Sequence, residues 1–540
     1  MNSEKANLLV IGEAEVLEAG RILASYKSAK ASLDMRVIEN EKWFRLRHWE
    51  QLRPVGKPER RHSAWLFNSI VNKHADFMDS LPECTVLPRE AGDTMEAERL
   101  TSVLPVILER NNWQEIYSEG AYRKLKTGTA VYSVLWNSSS DSGLGDIDIK
   151  SVDILNLFWE PGIRDIQKSR NLFYVDLVDN DLLIEEYPFL EGTLGGSNEI
   201  LSYTYDGNID TSGKSAVVDW YYKKRVSGRT VLHYCKFVNS TLLYSSENDP
   251  LYTLRGWYDH GLYPFVFDPL FKEEGTPVGF GFIDVMKDAQ EEIDILGNEI
   301  IRNARLGARK RYFTRVEGAV NEEEFADFNK DFVHVSGSSI GEESIREIGF
   351  SPLSPVYITV LNNKITELKE TSGNRDFTQG GTSGGVTSGA AITALQEAGN
   401  KLSRDMISAT YNAFSGICTL CIELMRQFYT VPRSMRILGT DGGFNYSLYD
   451  NSVLKGEYIE GEFGLRGVHR LPVFDVKVKA HRQNTFSRAA QNTDALNFFS
   501  MGFFDPEKAV QALACMELID IENKEKIKSM IKKNAAQILA

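Results

Sequence analysis

Met286, Ile293 and Ile300 stand seven residues apart, with Leu296 between them. Apolar residues at that interval share one face of an α-helix. Ala289, Gly297 and Ala304 keep part of the helix surface small. The pattern predicts about 25 helical residues from Phe282, a rod of some 37 Å at roughly 1.5 Å per residue. A second helix is predicted from Pro355, where Ile358, Leu361, Ile365 and Leu368 follow at coiled-coil-like spacing. Between the two lies a mixed stretch from RKRYFTRVEG to IGFSPLSP, with a short helix predicted at NEEEFADFNK and a strand at DFVHV. A long helix, a small excursion and a returning helix is not the layout of a typical enzyme core.

The rest of the chain changes period. Helices are predicted over 14–50 and about 60–80, the second resting on Trp65, Ile70, Ala75 and Met78. A further helix starts at Asp93 or Thr94, uses Met95, Ala97, Leu100 and Leu104, and bends or restarts at Pro105. From Gly145, Ile147 and Ile149 alternate with Asp146, Asp148 and Lys150, as in a half-buried strand. AVVDWYYKKR and VLHYCKFV continue the theme, so 130–270 is predicted to be mostly β. TQGGTSGGVTSGAA, from Thr378, holds too much glycine to keep one conformation cheaply. A long helix then runs to Tyr429, LPVFDVKVKA forms a strand, and the last 55 residues are helical, with the basic, solvated KEKIKSMIKK among them. No apolar run reaches the length of a membrane span; the best, Ala413 to Ile422, stops at Glu423.

Charge excludes a simple basic nucleic-acid clamp. There are 61 Lys plus Arg against 75 Asp plus Glu, a net charge of −14, and a clamp draws its affinity from neutralised phosphates. The five cysteines, Cys84, Cys235, Cys418, Cys421 and Cys515, are an odd, sparse set that argues for a reducing compartment rather than a disulfide framework.

Motifs for catalysis are weak. SGKS at Ser212–Ser215 resembles part of a phosphate loop, but Gly207 precedes Gly213 by one residue too many, and a strand follows instead of a helix. Cys418 and Cys421 form a lone CxxC late in an apolar helix, without further ligands for zinc. GFGFID at Gly279–Asp284 lacks the third glycine of a dinucleotide loop and reads as a flexible lead into the helix. No cofactor and no metal are expected.

Charges on the helix from Phe282 are more informative. Asp284, Asp288, Glu291, Glu292, Asp294 and Glu299 precede Arg302, Arg305 and Arg309. That order suits the helix dipole. It also allows contacts between helices of neighbouring copies, or with DNA.

The whole pattern resembles the dodecameric portal proteins of tailed double-stranded DNA bacteriophages. GTPVGFGFIDVMKDAQEEIDILGNEI is similar to the lead into that family's first stem helix. VDILNLFWEPGIRDIQKSRNLFYVDLV is similar to its wing strands, and SGAAITALQEAGNKLSRDM to its tunnel-loop exit. RQNTFSRAAQNTDALNFFSMGFFDPEKAVQALACMELIDIENKEKI is similar to a crown segment.

The resemblance implies an α+β portal fold, with an α/β wing, a two-helix stem, a small α/β clip and a helical crown. It divides the chain into an N-terminal wing at 1–279, stem helix 1 at 280–306, a clip at 307–354 and stem helix 2 at 355–375. A tunnel loop follows at 376–389, then the long wing helix and wing strands at 390–482 and the crown at 483–540. It also implies a non-enzymatic homo-oligomeric ring at one capsid vertex of the virion, assembled in the host cytoplasm. The ring would conduct double-stranded DNA without sequence specificity. Its partners would be the terminase large subunit, the major capsid and scaffold proteins and the head–tail adaptors, with no membrane.

By the same resemblance Gln379, Gly380, Gly381, Thr382, Ser383, Gly384, Gly385, Val386 and Thr387 would face DNA. Asp288, Glu292, Glu299, Arg302, Arg305 and Arg309 would sit between subunits or on the channel, and Glu322, Glu323, Glu324 and Asp327 would serve docking at the clip. The rival readings are a nucleotide-binding enzyme using Lys214 and Ser215, and a capsid or tail structural protein without a channel.

Overall fold

The computed structural model describes residues 10–48, 63–194, 213–226, 228–308, 312–314, 321, 323–324, 345–347, 352–373, 401–438, 444–459, 468–482, 496–503, 505, 508–518, 527–528 and 530–532. Its principal helices are α1 (Glu13–Phe44), α2 (Trp65–Met78), α3 (Thr94–Arg110), α4 (Trp113–Thr127), α5 (Asn180–Glu186), α6 (Phe282–Ala308), α7 (Pro355–Ser372), α8 (Lys401–Phe428) and α9 (Ala509–Leu518). With the strands between them, they make the mixed α+β class expected. The chain divides into two compact units. One comprises Met1–Glu41, Ile70–Phe282 and Asn400–Ala540; the other comprises Lys42–Ser69 and Ile283–Gly399.

In the first unit, five strands form an antiparallel meander: Leu157–Trp159, Asn171–Asp179, Lys214–Val226, Arg229–Val238 and Thr241–Ser245. Alternation puts Phe173, Val175, Val218, Trp220, Tyr222, Cys235 and Phe237 on one face. α1 lays Val16, Ala19, Leu23 and Tyr26 onto that face, at three- and four-residue steps. A second sheet orders Asp146–Val152, Thr129–Asn137 and Phe265–Pro269. The alternation read at Ile147 and Ile149 appears here as buried side chains in register with Trp136 and Val134.

Lys124 of α4 is about 1% exposed and lies 2.6 Å from the equally buried Asp268 carboxylate. It also donates to Thr410 Oγ1 at 2.6 Å and to the Met406 carbonyl at 3.3 Å. Thr410 donates in turn to Asp268 at 2.9 Å. One satisfied buried charge pair thus ties α4, a strand and α8 together.

Four local expectations are corrected. Pro105 does not restart its helix: α3 runs unbroken from Thr94 to Arg110, and the break falls at Asn112, whose φ is 52°. Leu100, Val103, Leu104 and Ile107 are all buried. Burial of such side chains, about 1.5–3 kcal/mol each, outweighs the hydrogen bond lost at proline. Met95 is 71% exposed and takes no part in that core. α2 buries Leu66, Ile70 and Phe77, while Ala75 is exposed. KEKIKSMIKK is not wholly solvated either: Lys528 and Ile531 are buried, and Ile531 packs with Ala509, Ala512 and Met516.

A strand at Ser80–Pro88, not foreseen, pairs antiparallel with Phe474–Arg482. On Phe474–Arg482 the exposed Asp475, Lys477 and Lys479 alternate with half-buried Phe474, Val476 and Val478, as read. The helix at NEEEFADFNK and the strand at DFVHV fall largely outside the described residues; Glu323 and Glu324 are helical, and Tyr312–Thr314 pairs with Ile345–Glu347.

Candidate functional site

The lead into α6 is closely packed rather than flexible, which corrects the reading of GFGFID. A Cβ on Gly279 would fall 2.2 Å from the Phe271 carbonyl oxygen, and one on Gly281 would fall 2.8 Å from those of Leu125 and Lys126. Gly128, at φ 89°, faces the Phe280 backbone at 2.4 Å in the same sense. Glycine serves here for the approach of backbones, and the positive φ at Gly128 suits no other residue well.

Within the second unit, α6 buries Ile283, Met286 and Ile293, then loses its cover: Ile300 is half-buried and Ile301 is 37% exposed. α7 opens on Ser354, whose hydroxyl accepts from the Val356 N–H, and closes on Gly373 at φ 69°. It buries Leu368 and Ser372 at its far end. At its start Val356, Tyr357, Ile358 and Val360 stay exposed, at 63%, 43%, 54% and 38%.

A polar staple interrupts the apolar stripe of α6. Asp294, 3% exposed, accepts from the Ser63 N–H and hydroxyl, each at 2.8 Å, and from the Gln290 amide at 3.0 Å. His48 Nε2 lies 3.2 Å from its other oxygen. Gln290 also accepts from the Leu66 N–H at 3.0 Å. Asp294 is therefore an internal tie. A cavity of about 200 Å³ adjoins it, lined by Trp65, Ile293, Gly297, Ile301, Leu361 and Ile365.

The charges singled out from sequence meet different surroundings. Glu292 meets Lys364 of α7 at 2.8 Å, and Lys364 also meets Glu367 at 3.0 Å. These carboxylates, Glu292 first, hold the Lys364 ammonium above its ordinary range. Glu299 pairs with Arg302 along the helix at 3.5 Å, both well exposed. Asp288 and Arg305 are exposed, and no ion pair is formed by either among the described residues. Glu323 is exposed, and the Glu324 N–H donates to Asn321 Oδ1 at 3.2 Å. Arg309, Glu322, Asp327 and the whole run Gln379, Gly380, Gly381, Thr382, Ser383, Gly384, Gly385, Val386 and Thr387 lie outside the described residues.

Sequence reasoning passed over Lys364 and Gln290, and took Asp294 for one charge among several on its helix. The last two stand one turn apart inside an apolar stripe, which is the pattern of a buried polar tie.

The enzymatic motifs acquire other roles. Lys214 and Ser215 open the strand Lys214–Val226; Ser215 Oγ donates to Asn180 Oδ1 at 2.6 Å, and Lys214 faces Asp179 at 3.5 Å. Backbone groups paired in that ladder cannot curl around a phosphate. Cys418 and Cys421 are core residues of α8. Among the described residues no cluster of His, Cys, Asp and Glu is placed to hold a metal, and no helix is long and apolar enough to cross a membrane.

No curated protein matches the chain. A family model described as phage P22-like portal protein matches residues 78–540, which takes in α3 to α9 and both faces of the α6–α7 pair. With most of its length so matched, the chain belongs to the phage P22-like portal protein family.

Proposed function

We propose that this chain closes into a dodecameric ring at one capsid vertex and conducts double-stranded DNA into and out of the head. Membership in the family supports a portal role, an oligomeric ring and a place at the capsid vertex of the virion, and the family is a structural one. The observation that carries the ring is the row of exposed apolar side chains on α7, Val356, Tyr357, Ile358 and Val360, together with Ile301 on α6. Apolar rows of that kind call for a covering surface. A neighbour contributing a different face gives a head-to-tail contact, and such contacts close into rings when the rotation allows.

In this reading 280–306 and 355–375, which α6 and α7 largely fill, are the stem, 307–354 the clip, 376–389 the tunnel loop, 390–482 the long wing helix and strands, and 483–540 the crown, with 1–279 as the N-terminal wing. Gln379–Thr387 face the DNA. Glu322, Glu323, Glu324 and Asp327 take part in docking the terminase large subunit during filling and the head–tail adaptors afterwards. Scaffold and major capsid proteins contact the ring during assembly in the host cytoplasm. The chain itself performs no catalysis and holds no cofactor; the motor supplies the work. A net charge of −14 per copy makes an acidic conduit that does not hold phosphates, so a duplex slides in both directions.

The test is genetic and physical together. Phage lacking the protein is expected to yield heads without DNA. Complementation with a chain deleted for Gly380–Gly385 is expected to restore rings but to lower the DNA packaged or retained. Heads that fill normally without the protein would refute the conduit, and loss of rings on the deletion would make the segment structural.

A further inference from the structure

Three of the five cysteines converge where α8 lies on the two-stranded sheet of Ser80–Pro88 and Phe474–Arg482. Tyr411 Oη donates to the Ser80 carbonyl at 3.2 Å, and Ser415 Oγ donates to the Val476 carbonyl at 3.3 Å, fixing the helix against both strands. Cys418 follows Ser415 by three residues, on the same helix face. Cys84 stands in register with Val478 on the sheet beneath. The buried Cys84 and Cys418 thiols are close enough to act on each other's ionisation, and Cys421 lies one turn further along the helix. Exposure is 7% at Cys84, 0% at Cys418 and 1% at Cys421.

We propose that Cys84 and Cys418 are a latent disulfide pair, free in a reducing milieu and closed by peroxide. The inference is independent of the portal reading, since it rests on two sulfurs of one unit. The two thiols are not equivalent. Cys84 keeps some exposure, at 7%, whereas Cys418 is closed off from solvent, and burial raises the Cys421 thiol. Cys84 is thus the sulfur that peroxide reaches first, and the attacking one. It displaces hydroxide from hydrogen peroxide as the O–O bond breaks, leaving a sulfenic acid. Cys418 then loses its proton and attacks the Cys84 sulfur, and the S–O bond breaks to release water. Two thiols and one peroxide become one disulfide and two waters, and two electrons pass from sulfur to oxygen. The product joins a strand to α8 across a long stretch of chain and restricts the unfolded state.

The full-length protein, purified under reductant and then freed of it, is treated with hydrogen peroxide, blocked with N-ethylmaleimide and digested without reduction. The expected result is a peptide pair linking Cys84 to Cys418, reversed by dithiothreitol, with a rise in melting temperature of the oxidised form. Cys84→Ser is expected to abolish the link, and Cys515→Ser to leave it. The peptide map of the unmutated protein decides the matter even if Cys84→Ser fails to fold. Full alkylation of Cys84 and Cys418 after peroxide, or links running to Cys421 or Cys515 instead, overturns the proposal.

Discussion

The sheet under α1 and the α6–α7 pair bury apolar side chains in opposite ways. In the sheet, Phe173, Val175 and Phe237 are at most 2% exposed, and α1 covers them from within the same chain. On α7 the apolar residues run the other way along the helix: Leu368 is buried, while Val356 and Ile358 are more than half exposed. The first region is finished by its own sequence. The second is a surface that a copy of the same chain is proposed to complete. Stability and assembly are therefore expected to respond to different residues.

The largest effect is expected in the finished region. Lys124→Ala leaves Asp268 buried without its cation and should lower unfolding stability by about 3–5 kcal/mol. The paired change Lys124→Met with Asp268→Leu should recover most of that loss, because removing both charges abolishes the desolvation penalty. Chemical denaturation of both variants checks this. Equal losses in the single and the paired variant would mean that packing, not the charge pair, sets the cost.

Next comes α7. Val356→Ser with Ile358→Ser should change unfolding of the single chain by no more than about 0.5 kcal/mol, as expected of exposed positions, yet should abolish rings in size-exclusion chromatography with light scattering. Persistence of rings would blur the contrast between the two regions. A smaller effect is expected from Arg302→Glu with Arg305→Glu, which should weaken assembly more than DNA affinity, since these side chains lie on the exposed part of α6. Unchanged assembly with altered DNA binding would move these residues to the channel wall.

The smallest effect is a pH dependence in the finished region. Burial holds the His260 imidazole down at about 4, and its Nδ1 accepts from the Leu262 N–H at 2.9 Å. Between about 4 and the ordinary histidine value near 6.5 the unfolded chain takes up a proton that the folded chain refuses. His260 therefore removes stability as pH falls through that window. His260→Asn should flatten the fall in melting temperature across it, and an unchanged slope would assign the acid sensitivity to other groups.

Regularity decided what could be read from sequence. Seven-residue spacing placed α6 and α7, and alternation placed the strand at Asp146–Val152, because both patterns are local. What escaped depends on residues far apart in the chain. Ser80–Pro88 pairs with Phe474–Arg482, and Asp294 finds Ser63 and His48, contacts that no window of local sequence contains. The glycines at 279 and 281 were misread as freedom because the crowding comes from Phe271, Leu125 and Lys126. The helix does not restart at Pro105; local propensity takes no account of the burial around it. Of the charges proposed for the site, the structure joins Glu292 to α7 through Lys364, a partner with no signature of its own in the sequence.

The central claim is that the open face of α6 and α7 is closed by further copies of the chain. Electron-microscopic averages of the purified protein, with its mass measured on the same sample, address this directly. The account predicts rings of about twelve copies with a central hole that admits a duplex. A monomer under every condition tried, or sheets and tubes without a bore, would contradict it.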